Sequence, residues 1–99
     1  MKVENEVIKK RKEWSVDVDG INIKIVNKKY LKLYVNGELQ DVFWGLFVNS
    51  SGMRGKMPDG REIKVRFGGH FILQYAIFVD NTLVLSTHKN VTKTIQENA

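Results

Sequence analysis

The feature that most constrains this chain is an apolar residue at every second position, interrupted at intervals by residue pairs that reverse a backbone. Trp14, Val16 and Val18 alternate with Ser15, Asp17 and Asp19; Ile21, Ile23 and Ile25 with Asn22 and Lys24; Leu31, Leu33 and Val35 with Lys32 and Tyr34. Side chains that recur at two share one face of a strand, whereas a helix needs apolar positions three and four apart. Val, Ile, Phe, Tyr and Leu dominate these segments, and such residues suit a pleated, half-buried surface. No segment between 13 and 88 has helical spacing.

The reversals are Asp19-Gly20, Asn36-Gly37, Ser51-Gly52, Pro58-Asp59-Gly60, Gly68-Gly69 and Asp80-Asn81. Gly, Asn and Asp tolerate positive φ, and Pro presets the first position of a turn. The pattern predicts one all-β domain, an antiparallel β-sandwich or partly open barrel of seven to eight strands in meander order. Ninety-nine residues leave room for one core. The β domain is expected over 13–88. Residues 1–12, polar and basic with only Val3, Val7 and Ile8 as apolar anchors, are expected to fray or form a short helical turn, and 89–99 to be a C-terminal tail.

Register follows from turn length. A two-residue loop at Asp59-Gly60 would bring Lys56 opposite Ile63 and mix charge into the core. A three-residue loop with Gly60 in a left-handed bulge instead aligns Met53, Gly55 and Met57 with Val65, Ile63 and Arg61. It leaves Lys56 opposite Glu62, and Arg54 opposite Lys64. Two other hairpins resemble each other, Leu33–Leu39 around Asn36-Gly37 and Ile77–Leu83 around Asp80-Asn81. Two-residue loops there place Tyr34 opposite Leu39, Phe78 opposite Leu83 and Lys32 opposite Asp41. The segments 71–79 and 42–48 are apolar on both faces, as in strands covered on both sides.

The absence of cysteine excludes disulfides, thiolate zinc, iron–sulfur clusters and thiol catalysis, so stability must come from apolar burial. His70 and His88 have no third ligand at metal spacing, and Ser15, Ser50, Ser51 and Ser86 lie outside any nucleophile-elbow motif. Asp17, Asp19, Asp59 and Asp80 sit beside turns, where carboxylates close the turn through backbone hydrogen bonds. Neither an enzyme nor a cofactor is expected. No stretch approaches the roughly 18 apolar residues of a membrane helix and no signal-peptide core opens the chain, so a cytoplasmic protein that does not enter membranes is expected.

Sixteen Lys and Arg against eleven Asp and Glu give a net charge of +5. The predicted outer face of the central hairpin gathers Arg54, Lys56, Lys64 and Arg66, a ribbon able to attract phosphates but lacking the aromatics on which bases stack.

The order of landmarks resembles the β-sandwich module of Fas apoptotic inhibitory molecule proteins. The residues that carry the likeness are Trp14 with Val16, the Asp19-Gly20 turn with Ile21 and Ile23, Tyr34-Val35-Asn36-Gly37-Glu38, Trp44, and Tyr75-x-Ile77-x-Val79-Asp80-Asn81-x-Leu83. The resemblance spans about residues 14–85 and implies an antiparallel sandwich that works through protein contacts; the hairpin Gly55–Arg61 has no counterpart in that family. The expected function is a non-catalytic interaction module, using an apolar outer patch of Tyr34, Trp44 and Phe78 for self-association or a partner protein. The alternative is a weak binder of nucleic acid or another polyanion through Arg54, Lys56, Lys64 and Arg66.

Overall fold

The structure, a computed structural model, describes residues 1–9, 12–43, 52–68 and 74–86. These contain β1 (Val3–Lys9), β2 (Glu13–Val18), β3 (Ile21–Lys28), β4 (Tyr30–Val35), β5 (Glu38–Phe43), β6 (Met53–Lys56), β7 (Glu62–Gly68), β8 (Gln74–Val79) and β9 (Thr82–Ser86), and no helix. The strands form two antiparallel sheets in meander order, β1-β2-β3-β4-β5 and β6-β7-β8-β9. The described residues thus form nine strands rather than seven to eight. The ninth is β1, built from residues expected to fray.

The inner faces of the two sheets supply the core. Trp14, Val16, Val18, Ile23, Ile25, Leu31, Leu33 and Val35 come from the five-stranded sheet; Met53, Ile63, Val65, Tyr75, Ile77, Val79, Val84 and Leu85 come from the other. The Trp14 and Tyr75 rings meet edge to face across the interface, with centroids 4.2 Å apart. No polar or charged residue is buried among the described residues. Each fully buried aliphatic side chain contributes roughly 1.5–3 kcal/mol, so this interface supplies the main stabilisation.

Around Pro58 the register is the expected one: Met53 faces Val65, Gly55 faces Ile63 and Lys56 faces Glu62. The Met57 amide donates to the Arg61 carbonyl and the Gly60 amide to the Met57 carbonyl, each at 2.9 Å, with Gly60 at φ +95°. Tyr34 faces Leu39 and Phe78 faces Leu83, also as expected. One step further, both hairpins are interrupted by a bulge, so that Leu33 faces Asp41 and Ile77 faces Leu85. The predicted Lys32–Asp41 pair is therefore not formed. Gln40 is the extra residue, and it shifts Val42 opposite Lys32. β8 lies inside its sheet with Tyr75, Ile77, Phe78 and Val79 buried, as its two-sided apolar pattern implies. Val42 and Phe43 instead belong to edge strand β5; residues 44–48 and 71–73 lie outside the described residues.

Three turns share one device. Asp19, Asn36 and Asp80 each open a two-residue turn at φ +51°, +49° and +47°. Each amide donates to a carbonyl on the preceding neighbour strand or its extension: Asp19 to Lys2 at 2.7 Å, Asn36 to Asn22 at 2.8 Å, Asp80 to Glu62 at 2.9 Å. Each Oδ1 then accepts the amide of that same residue, at 2.7, 2.9 and 2.9 Å. A short side chain thereby prolongs the ladder by one pair and ties each of these three hairpins to the strand beside it. The Asp80→Ala variant loses this return bond and places a β-carbon lacking local support at positive φ. It should lower unfolding free energy by about 1–2 kcal/mol. Asp80→Asn, which keeps Oδ1, should stay within about 0.5 kcal/mol of the parent; urea denaturation distinguishes the two.

Candidate functional site

The carboxylates that could have served acid–base chemistry are occupied in closing turns and ladders. Asp17 accepts side-chain hydrogen bonds from Asn5 at 2.8 Å and from Asn22 at 2.9 Å. Asp59 accepts the Arg61 amide at 3.1 Å and its guanidinium at 2.7 Å. Among the described residues, no three or more His, Cys, Asp and Glu side chains cluster as a metal would require. His70 and His88 lie outside the described residues, and so do Ser50 and Ser51.

Of the expected apolar patch, Tyr34 and Phe78 are not brought together. Tyr34 is half-buried on the outer face of β4, in the five-stranded sheet, whereas Phe78 belongs to β8 of the other sheet. The two face away from each other across the sandwich. Phe78 is only 8% exposed, so it offers almost no surface to a partner. Trp44 lies outside the described residues.

The basic ribbon is assembled. Arg54 and Lys56 on β6 and Lys64 and Arg66 on β7 share the outer face of the four-stranded sheet, with Arg54 directly opposite Lys64. Arg54, Lys56 and Arg66 are exposed; Lys64 is half-buried and its Nζ donates to Asn81 Oδ1 at 3.3 Å. No described ion pair engages any of the four. Glu62 is the acid among them, opposite Lys56.

The two sides of the sandwich close differently. Where β5 meets β6, the Arg54 amide donates to Asp41 Oδ2 at 3.0 Å and the Lys56 amide to Gln40 Oε1 at 3.3 Å. Gly55 permits this approach, because a β-carbon there would come within 3.1 Å of Leu33 and 3.2 Å of Gln40. Side chains of one edge strand thus cap the outward amides of the other.

At the opposite side, where β1 faces β9, a cleft of about 440 Å³ lies open, lined by Val3, Glu6 and Ile8 and by residues 83–86. A one-residue bulge between Glu4 and Val7 turns Val3 and Ile8 to the same inner face, opposite Val18 and Trp14. Yet Val3 is 40% and Ile8 52% exposed, and among the described residues no fifth strand of the second sheet covers them. Sequence reasoning missed this groove. The only signal was the clustering of Val3, Val7 and Ile8, whose spacing conceals alternation until the bulge is known.

A polar clamp joins the two sheets at one end. The Arg61 guanidinium binds Asp19 at 2.8 Å and Asp59 at 2.7 Å, linking the β2–β3 turn to the β6–β7 hairpin. Hydrogen bonds from the Lys2 amide and from Arg61 hold Asp19 below the ordinary carboxylate range, and Arg61 does the same to Asp59. A carboxylate depressed in the folded state contributes stability that is complete above the unfolded pKa of about 3.9 and is lost as pH falls through the folded value. Unfolding midpoints should therefore drop between about pH 5 and pH 2. Arg61→Gln should be less stable at pH 7 and should lose part of this acid sensitivity, as urea titrations across that range would record.

No helix among the described residues is long and apolar enough to cross a membrane. No family profile matches this chain, and no curated protein or solved structure matches it.

Proposed function

We propose that this protein is a non-catalytic binding module that accepts an extended polypeptide strand in the cleft between β1 and β9. The observation that carries it is the mismatch, among the described residues, of five strands facing four, with Val3 and Ile8 40% and 52% exposed on an inner face. A strand laid along β9 would complete the second sheet, gaining main-chain hydrogen bonds from the edge and apolar contacts from every second side chain. Glu6, in the wall between Val3 and Ile8, favours a Lys or Arg between two apolar positions of the incoming segment. An edge strand of a second copy meets the same requirement, so self-association belongs to the same mode. The turn and ladder roles of Asp17, Asp19, Asp41, Asp59 and Asp80 support a non-catalytic protein, as does the likeness to the Fas apoptotic inhibitory molecule module. The site moves from Tyr34, Trp44 and Phe78 to Val3, Glu6, Ile8 and β9.

Selection of displayed nine-residue peptides against the full chain tests this. Selected peptides should alternate apolar residues around one basic residue and lose at least about tenfold in affinity, about 1.4 kcal/mol, when Ile8 is replaced by Asp. Failure to select any peptide, or binding indifferent to Ile8→Asp, would contradict the proposal.

A second reading, polyanion binding at Arg54, Lys56, Lys64 and Arg66, is favoured by one observation: the Arg54–Lys64 pair is held face to face with no described ion pair. An anion seated there would relieve the like-charge contact. Heparin affinity should fall with added salt and weaken in Arg54→Gln/Arg66→Gln; salt-independent binding would reject it.

A further inference from the structure

The outer face of the five-stranded sheet carries what the basic ribbon lacks. On β3 and β4 the cross-strand pairs Lys24–Tyr34, Val26–Lys32 and Lys28–Tyr30 all point away from the core, since the alternate residues Ile23, Ile25, Leu31 and Leu33 are buried. Three lysines and two tyrosines thus form a checkerboard on adjacent strands. Tyr30 and Tyr34 lie four residues apart, about 13 Å along one strand, with Lys32 between them. Lys24 and Lys32 are half-buried, and Lys28 is exposed.

The acids of this face lie on its β1–β2 side, where Glu4 faces Asp17. On β2, Glu13 lies opposite Val26, and Asp17 is held by Asn5 and Asn22. No described ion pair engages Lys24, Lys28 or Lys32. At the end of the face, the Lys29 ammonium lies over the Tyr30 ring, 5.8 Å from its centroid, so that this aromatic already carries a cation and Tyr34 is the ring offered to a base.

From this juxtaposition we infer that the outer face of β3 and β4 binds single-stranded nucleic acid, with a base stacked on Tyr34 and phosphates met by Lys24, Lys28 and Lys32. Aromatic rings on an open sheet surface stack against bases whatever their identity, and interleaved cations follow the backbone between them. A duplex keeps its bases paired and stacked on one another, so it can use only the lysines. Single-stranded DNA and RNA share the chemistry that this face reads. The surface is distinct from the β1–β9 cleft, and binding at one can fail while binding at the other holds.

Fluorescence anisotropy of the full chain with fifteen-residue oligo-dT, oligo-U and a duplex of equal length, at two salt concentrations, tests the inference. Either single strand should bind more tightly than the duplex, and affinity should fall with salt with a logarithmic slope of about −2, as expected for three phosphate contacts. Tyr34→Ala should weaken single-strand binding by at least about fivefold, the equivalent of about 1 kcal/mol of stacking. Tyr34→Phe should not weaken it, and neither variant should alter binding of heparin, which has no bases. Thermal melts of both variants separate loss of stacking from loss of fold. Equal affinity for duplex and single strand would overturn the inference. So would insensitivity of a folded Tyr34→Ala, or loss of binding on Arg54→Gln/Arg66→Gln while Lys24→Gln/Lys32→Gln leaves it unchanged.

Discussion

Burial of two apolar sheet faces against each other governs this molecule. With no cysteine to cross-link the chain and no polar or charged residue buried among the described residues, order must come chiefly from shape and register. A slip of one residue in any strand would carry its apolar set to the water face, so the interface fixes register wherever a strand lies over it. Trp14 stands at the meeting point, packed against Ile8 and Ile25 along its own sheet and edge to face with Tyr75 of the other. The side chains of Asp19, Asn36 and Asp80 then hold three of the hairpins to a neighbouring strand.

Functional asymmetry follows from how the margins of that interface are finished. At β5 and β6, Asp41 and Gln40 reach across to cap backbone amides, and Gly55 lets the strands approach. At β1 and β9 nothing comparable joins the sheets among the described residues, and the cleft results. Exposed edges normally invite indiscriminate pairing, and charge is one way to limit it. Glu6 places such a charge in the wall of the groove. The two outer faces differ in kind: Arg54, Lys56, Lys64 and Arg66 form a ribbon of charge, whereas Lys24, Lys28 and Lys32 alternate with tyrosines.

Strands β2 to β4 and β6 to β9 were legible because period-two burial and turn chemistry agree there. The Gly60 bulge could be derived from the requirement that Ile63 face the core. What escaped the sequence has physical causes. The reversal between β3 and β4 uses Lys29 at φ +66°, a residue with no turn preference, so no signal marks it. β1 gains its order from the ladder with β2 and from Asn5 and Lys2, and all its side chains are exposed, so no burial pattern announces it. The bulges at Gln40 and Val84 shift facing residues by one, which pattern alone does not encode. Phe78 was placed on the correct face of its strand, yet its burial depends on surroundings that periodicity does not describe. Tyr34 and Phe78 are apart for a topological reason: they occupy equivalent places in similar hairpins, but those hairpins belong to different sheets.

Residue-resolved amide exchange by NMR on the intact chain addresses the difference between the two margins directly. If the sandwich is sealed at β5–β6 and open at β1–β9, the outward amides of Arg54 and Lys56 will exchange slowly and that of Leu83, which points away from β8, will exchange rapidly. Slow exchange at Leu83 together with fast exchange at Arg54 and Lys56 would contradict that architecture and the binding mode built upon it.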